Sequence, residues 1–528
     1  MESYHIISKF IDHAQNNPHK IALIHKKDLL FFKRPFENVT YHQLYCDMIW
    51  TAQKLKEQGI QKKDRILVFV PMSYDLYVIA LAILHIGAVL VFVDAWSNLN
   101  RLSMACDIVK PVGFIGTVKA QILRLSSAIR QIPLKIISHT LLCHQQGMHQ
   151  SIDSIPPEHV SADNEAIVTF TTGSTGAPKA AKRTHEFLYN QHLALNAHMP
   201  LVADDINLAT LPIFVLNNLL IGITTVLPDF NPAKPSEFDP QTVVQQIIDL
   251  NVTSSIGSPS FFDYLANYIL KTKKATPFKT IYTGGAPIFK PLAKKFRQAF
   301  PKADIHVVFG ATEVEPVSSI PLDDYIQRDH QFGLPVGKKV HALNIKRIQP
   351  TDDEICIDDN HSLQDYEVTG DAVGEIIVSG NHVLKEYIGS PLMFKKNKII
   401  SNGQLWHRTG DAGRIDSEGM IYLYGRVKNR FLTKQNQYVF AIPIEQEILT
   451  IEAIEFTALF KANALVYVAL ESKTTLSENE KDQIRSKVKT IVQDLYIHDI
   501  LFLKTIPRDP RHHSKANYEK LSQYVKGE

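Results

Sequence analysis

Thr169-Phe170-Thr171-Thr172-Gly173-Ser174-Thr175-Gly176-Ala177-Pro178-Lys179 begins inside an apolar, β-leaning run at 166–170 and ends on a lysine. The run reads as a strand, and the glycines behind it read as a loop leaving the strand's end. Glycine lets backbone N–H groups turn toward a ligand, while Ser174, Thr175 and Lys179 add donors and a positive charge. These are the parts of a phosphate cradle. The cradle is not a P-loop, which needs four residues between its glycines and a Lys-Ser/Thr pair after the second. Pro178 stands where that second glycine would be.

Upstream of the loop, apolar residues at Ile6, Ile7, Phe10 and Ile11 mark an amphipathic helix, with a short strand at 20–25. Thr40-x-x-Gln43 is a capping box that opens a helix through Lys56, and Gly59 sits where a C-terminal cap belongs. Strand 65–70, helix 75–85 and strand 88–93 follow, then helix Leu99–Val109, strand 112–117, helix 119–131 and strand 134–138. Such alternation predicts a layered α/β domain with a largely parallel sheet, which binds ligands at the carboxyl ends of its strands. Residues 140–163 read as a connector. Beyond the loop, Thr184 caps a helix to about His198, and 253–257, 280–283 and 305–309 are short strands.

From about 340 the texture changes to short strands and turns, with Asp352, Asp353, Glu354, Asp358 and Asp359 read as a solvated acidic loop. A boundary falls at Gly425-Arg426-Val427-Lys428, and the last hundred or so residues carry their own patterns at 442–449, 464–470 and 478–495. The expected fold is α/β. A large N-terminal domain of layered α/β subdomains spans 1–425, with a small β-rich subdomain at about 340–425. Residues 426–428 form a hinge, and 429–528 a small mobile α+β lid domain.

With 57 basic and 54 acidic residues the net charge is +3, too balanced for nucleic acid or an anionic membrane as partner. Cys46, Cys106, Cys143 and Cys356 are far apart without CxxC spacing, so neither a disulfide framework nor a zinc site is expected. A reducing compartment, the cytoplasm, fits best. The N-terminus shows no signal-peptide pattern. The apolar run 76–93 is interrupted by His85 and Gly87, and reads as a helix followed by a buried strand rather than a transmembrane span.

The loop at 171–179 resembles the phosphate loop of the acyl-adenylating (AMP-binding) superfamily, which includes acyl- and aryl-CoA synthetases, peptide-synthetase adenylation domains, luciferases and olefin β-lactone synthetases. The resemblance implies that Thr171, Thr172, Gly173, Ser174, Thr175, Gly176 and Lys179 hold the phosphates of ATP. Further motifs agree in order. Gly284-Gly285-Ala286-Pro287 resembles the backbone platform beside adenine and the acyl pocket. Phe309-Gly310-Ala311-Thr312-Glu313 is similar to a Tyr-Gly-x-Thr-Glu motif, in which the threonine meets the nucleotide phosphate and the glutamate helps to hold Mg²⁺. Phe309 keeps the ring and loses the hydroxyl. Trp406-His407-Arg408-Thr409-Gly410-Asp411 resembles a motif whose aspartate accepts both ribose hydroxyls, a job suited to a carboxylate. The family's next arginine, here Arg426, also reaches the ribose, and its hinge falls at Lys428. Near the C-terminus Lys515 matches the lysine that approaches the carboxylate and α-phosphate during adenylation. The strand motif Gly374-Glu375-Ile376-Ile377-Val378-Ser379-Gly380 carries no catalysis in the family.

Two stretches depart from ordinary acyl-CoA synthetases. After the hinge, Asn436-Gln437-Tyr438-Val439-Phe440-Ala441-Ile442-Pro443-Ile444-Glu445 has a bulky residue where the family has a glycine lining the pantetheine tunnel. Arg511-His512-His513-Ser514-Lys515 lacks the usual glycine before the lysine. Both departures look similar to the olefin β-lactone synthetases. Val215 and Leu216 lie where α-amino-acid activating domains place an aspartate, so an apolar, fatty carboxylic acid is expected instead. The resemblance therefore implies an ATP- and Mg²⁺-dependent ligase that forms an acyl-adenylate and transfers it to CoA. Intramolecular β-lactone closure of a β-hydroxy acid is the alternative, and a non-catalytic nucleotide-binding protein the alternative of another class.

Overall fold

The computed structural model describes residues 5–26, 36–93, 99–142, 155–172, 178–232, 237–357, 362–509 and 515–526. Their first large element is a seven-stranded sheet. Arg65–Phe69, Val89–Phe92, Gly113–Gly116, Leu134–Ile137 and Glu165–Thr172 run parallel in it. Every residue of the strand Gly113–Gly116 is buried, as expected for a sheet covered on both faces. The helix Tyr74–His85 is apolar all round because it is buried all round. It stops before Gly87, whose φ of +67° favours glycine, and the chain re-enters the sheet. Among the described residues no helix is long and apolar enough to cross a membrane.

The chain does not pass from Glu165–Thr172 into a helix. It returns antiparallel as Pro178–Thr184, with Thr171 opposite Lys179 and Thr172 opposite Pro178. The glycine loop thus joins two strands. The helix His185–His198 begins only afterwards, where the Thr184 side chain accepts from the Phe187 N–H at 3.1 Å. The capping box at Thr40 and Gln43 is formed, with bonds of 3.2 and 2.8 Å. The helix expected at 119–131 is instead a 3₁₀ segment, Lys119–Leu125, and a short helix, Ser127–Arg130. The break is at Ser126, whose hydroxyl caps Ile129 N–H and so starts a new helix rather than extending the old one.

The second sheet has fourteen strands. Its parallel half comprises Ile21–Lys26, Thr224–Val226, Ile206–Ala209, Ser254–Gly257, Thr280–Gly284 and Asp304–Ala311. Its other half is antiparallel and reaches through Leu334–Lys339 and Met420–Arg426 to Gln404–Ile415 and Gly374–Gly380. Apart from Tyr387–Ile388, which pairs in the seven-stranded sheet, the strands of the β-rich stretch at about 340–425 are hydrogen-bonded into this sheet. Asp352 of the acidic stretch pairs with Arg430 at 2.7 Å. Asp358 and Asp359 lie outside the described residues, and among those described no cluster of His, Cys, Asp or Glu could hold a metal.

The last part of the chain is a small unit. Ile454–Ala462, Leu465–Ser472 and Ile497–Leu503 form a three-stranded sheet. The helices Ala441–Ile448, Glu478–Ile491 and Tyr518–Lys526 pack around it. Leu459, Val468, Leu470 and Val488 are fully enclosed, so this unit has its own core.

Candidate active site

A cavity of about 1600 Å³ lies where the two sheets and the small unit meet. Its wall includes Lys179, Gly285, Ala286 and Pro287, the run Phe309, Gly310, Ala311, Thr312 and Glu313, and then Asp411, Arg426, Lys428 and Lys515. Lys179 and Lys515, 336 positions apart in the chain, thus share one space. Thr171 and Thr172 end the strand that leads to it. Gly173, Ser174, Thr175 and Gly176 lie outside the described residues, as do Arg511, His512, His513 and Ser514.

Each wall element is held by its backbone. Thr280–Gly284 can approach its neighbour only because Gly284 lacks a side chain, since a Cβ there would stand 2.1 Å from the Val308 carbonyl oxygen. Gly285 follows with φ +84° and turns the chain over the cavity. Thr312 and Glu313 occupy the tip between Asp304–Ala311 and Val314–Pro321. Phe309 packs beside the small cluster of Val314, Val317 and Ile376. Asp411 and Arg426 face each other across two strands and pair at 3.0 Å. Arg426 also donates to the Thr409 carbonyl at 3.0 Å. Lys428 sits in the 3₁₀ turn Val427–Asn429 that leads into the small unit. Lys515 is held through its carbonyl, which accepts from Asp509 N–H at 2.8 Å.

The wall is crowded with cations. Burial lowers the Lys179 pKa, Glu313 opposes that, and Arg426 and Lys396 lower it further. Lys428 is lowered by burial and then by Arg426 and Lys179. Such a cluster disfavours its own charge until an anion arrives. The same cavity also has an apolar lining, which includes Tyr77, Met199, Phe214, Leu216, Phe230 and Phe261. Val215, its neighbour on the helix Pro212–Ile221, is fully enclosed in the core and does not line it.

Residues 10–388 match the family model described as AMP-binding enzyme. The chain belongs to that family. This AMP-binding enzyme is 26% identical to the olefin β-lactone synthetase of Stenotrophomonas maltophilia over 518 residues, 92% of this chain and 91% of that protein. It is 25% identical to the acyl-CoA ligase sidI of Aspergillus fumigatus over 461 residues, 80% of this chain and 73% of that one. Its fold is that of the O-succinylbenzoate CoA synthetase of Bacillus subtilis, solved with ATP and a magnesium ion. The TM-score is 0.76 at 18% identity, covering 97% and 98% of the two chains. The large N-terminal and small C-terminal domains of the two proteins correspond.

Several groups in this AMP-binding enzyme's site escape sequence reasoning. Lys398 is only 3% exposed, and burial pushes its pKa down to about 7, with Glu313 opposing and Lys179 assisting. It stands in the run Phe394-Lys395-Lys396-Asn397-Lys398, which reads as a solvated charge run. Only its pairing opposite the buried His407 turns it inward. Arg183 is also buried and donates to the Thr312 carbonyl at 3.1 Å. Its neighbour Glu315 is pushed up to about 7 by burial, which Arg183 partly offsets. Tyr387 donates its hydroxyl to Glu313 Oε1 at 3.0 Å.

Proposed function

We propose that this AMP-binding enzyme activates an apolar carboxylic acid as its acyl-adenylate, with release of pyrophosphate from ATP. The observation that carries this reading is one cavity lined both by the cationic and carboxylate groups above and by apolar side chains. The apolar side chains take the acid's chain and leave its carboxylate among the cations. Asp411 accepts from the ribose hydroxyls, with Arg426 beside it. Lys179, the 173–176 loop and Thr312 hold the phosphates. The Lys515 ammonium bridges the attacking carboxylate oxygen and the α-phosphate as charge builds, the kind of preorganised electrostatic help that lowers a barrier most. Lys428 is the hinge on which the small domain turns.

The residues present fit Mg²⁺. The Glu313 carboxylate stands at the cavity without a cage of other protein ligands among the described residues, and Mg²⁺ is commonly held by one or two carboxylates together with substrate phosphates. Bound there, the ion would neutralise charge on the leaving pyrophosphate.

For the second step, β-lactone closure of a β-hydroxy acid is the reading we favour. In it the β-hydroxyl oxygen attacks the acyl carbonyl carbon, AMP leaves, and the hydroxyl proton is lost. Two observations support it. The Stenotrophomonas relative carries that name over nearly its whole length. In the departing stretch after the hinge, Phe440 is buried against Ala412 and Val427, and Tyr438 lies 4.9 Å from the Arg430 guanidinium that pairs with Asp352. The Phe440 contacts and the Arg430–Asp352 pair join the small domain to the large one in the arrangement that brings Lys515 to the cavity. Transfer to CoA is the second reading, supported by the Aspergillus relative's name. The test is a panel of apolar acids, with and without a β-hydroxyl, incubated with ATP and Mg²⁺ in the presence and absence of CoA and followed by mass spectrometry. AMP, pyrophosphate and a CoA-independent lactone are expected. A thioester formed only with CoA would establish the second reading, and ADP with phosphate would sink adenylation itself.

A further inference from the structure

The turn that carries Glu313 is gripped from outside its own hairpin. Tyr387–Ile388 is a two-residue strand added to the edge of the seven-stranded sheet, with Tyr387 opposite Ala181. That places a ring from one sheet against the hairpin tip of the other. The ring is 3% exposed, and Lys179 Nζ and Lys398 Nζ lie 5.7 and 5.8 Å from its centroid. Its hydroxyl reaches Glu313 Oε1 at 3.0 Å. The backbone of Glu313 is fixed from the same side, since its carbonyl accepts from Leu384 N–H at 2.7 Å. Lys398 Nζ in turn donates to the Leu384 carbonyl, so the buried lysine anchors the residue that anchors the turn. Val314, next in the chain, bridges to Val383.

We propose that Tyr387 is a positioning residue for Glu313: its hydroxyl holds Oε1 and orients Oε2 toward the divalent cation, with Lys398 and Leu384 fixing the backbone beneath. This rests on the reading that Glu313 holds that cation. A phenol suits the task better than a charged donor. An ordinary phenol, with a pKa of about 10, is protonated at neutral pH and so serves as a donor. Being neutral, it fixes the carboxylate's orientation and leaves its full charge for the ion. Donors behind metal ligands commonly set affinity in this way, and their loss costs about 10- to 100-fold.

The test is Mn²⁺ binding followed by electron paramagnetic resonance, in the presence of a non-cleavable α,β-methylene analogue of ATP. Four proteins are compared: wild type, Tyr387→Phe, Glu313→Gln and the double variant. Tyr387→Phe keeps the packed ring and removes only the donor, so its melting temperature and its metal-free affinity for the analogue should match wild type. Its Mn²⁺ affinity should fall about tenfold. If the tyrosine acts through the carboxylate, the double variant binds Mn²⁺ no more weakly than Glu313→Gln alone. Additive losses would overturn the proposal, as would an unchanged Mn²⁺ affinity in Tyr387→Phe beside a weakened Glu313→Gln. A lower melting temperature with unchanged Mn²⁺ affinity would make Tyr387 a packing residue only. Should Glu313→Gln itself bind Mn²⁺ as wild type does, the metal assignment of Glu313 fails, and the proposal with it.

Discussion

Two of the arginine–carboxylate pairs on the strand Gln404–Ile415, Arg408 with Glu375 and Arg426 with Asp411, behave differently. Arg408 and Glu375 are buried, their side chains 7% and 2% exposed. Glu375 Oε2 takes two donors from Arg408 at 3.0 and 2.6 Å, and Oε1 takes the Gly410 N–H at 3.3 Å. The guanidinium spends two more donors on the Asp353 and Thr351 carbonyls at 2.7 and 2.6 Å. Four of the guanidinium's five N–H donors are thus spent inside the protein. Arg426 and Asp411 share one contact of 3.0 Å, with side chains 54% and 17% exposed at the cavity wall. Among the described residues the Asp411 carboxylate takes no other side-chain partner, so it keeps acceptor capacity for a ligand. A charge with most of its bonds made inside the protein is scaffold, whereas a charge with bonds to spare at a cavity is there for something else.

The contrast makes quantitative expectations, beginning with the largest. Glu375→Ala leaves the Arg408 guanidinium buried without its counterion and should cost about 3–5 kcal/mol of stability. Urea midpoints measure this, and the fraction still folded should bind ATP normally. A loss of ATP affinity at unchanged stability would invert the assignment. Lys515→Ala should leave the melting temperature alone and slow adenylation about 100- to 1000-fold, as removal of one preorganised donor does. Pyrophosphate release reads the first step, and consumption of acyl-adenylate supplied ready-made should continue. Adenylation at the wild-type rate would reduce Lys515 to an ordinary surface lysine. Asp411→Ala should weaken ATP about 10- to 100-fold, the worth of hydrogen bonds to a charged group, with little change in stability because its pair is half exposed. Equal effects of Asp411→Ala and Glu375→Ala on both stability and binding would erase the distinction between the two pairs.

A last expectation concerns interior histidines that the fold keeps neutral. His5 and His185 are buried with rings 5.1 Å apart. Burial, then His85, pushes the His5 pKa from 6.5 down to about 4. Burial, then His5, takes His185 down to about 3. The unfolded chain therefore binds protons that the folded chain refuses. The stability these neutral rings retain is complete above about pH 6.5 and is lost as pH falls toward 4, by about 1.4 kcal/mol per pH unit for each ring. Urea midpoints between pH 7.5 and 5 should fall less steeply in His5→Leu than in wild type. Parallel slopes would mean that these rings are already protonated in the fold.

Much of the architecture was legible because it rests on local chemistry. A hydroxyl at Thr40 or Thr184 can cap a helix wherever the chain goes next. Motif order identified the wall residues Lys179, Glu313, Asp411, Arg426 and Lys515, because each carries a chemical group the proposed reaction requires. The chain's membership of the AMP-binding enzyme family follows the same motifs. Less visible was how segments are shared between sheets. Nothing local marks the strands of 340–425 as part of the main sheet, since a strand's hydrogen-bond partner is set by the whole topology. Nor does a helix pattern at 119–131 reveal that Ser126 interrupts it.

The sequence by itself determined which groups are available: a glycine loop ending in Lys179, a Thr-Glu turn, an Arg-Thr-Gly-Asp strand, and a distant lysine. It also set the alternation that makes the parallel sheet, because side-chain period and capping act over a few residues. Tertiary structure alone decided which of these groups stand over the cavity and which are sealed inside. Arg408 and Asp411 are three positions apart in one motif and both border the cavity, yet Arg408 is buried and locked to Glu375 while Asp411 keeps acceptor capacity to spare. Lys396 and Lys398 are two apart, yet one lines the cavity and the other is enclosed beneath Glu313. The reason is physical. Burial and the company of other charges govern how a charged group behaves, and both come from chain segments far away in sequence.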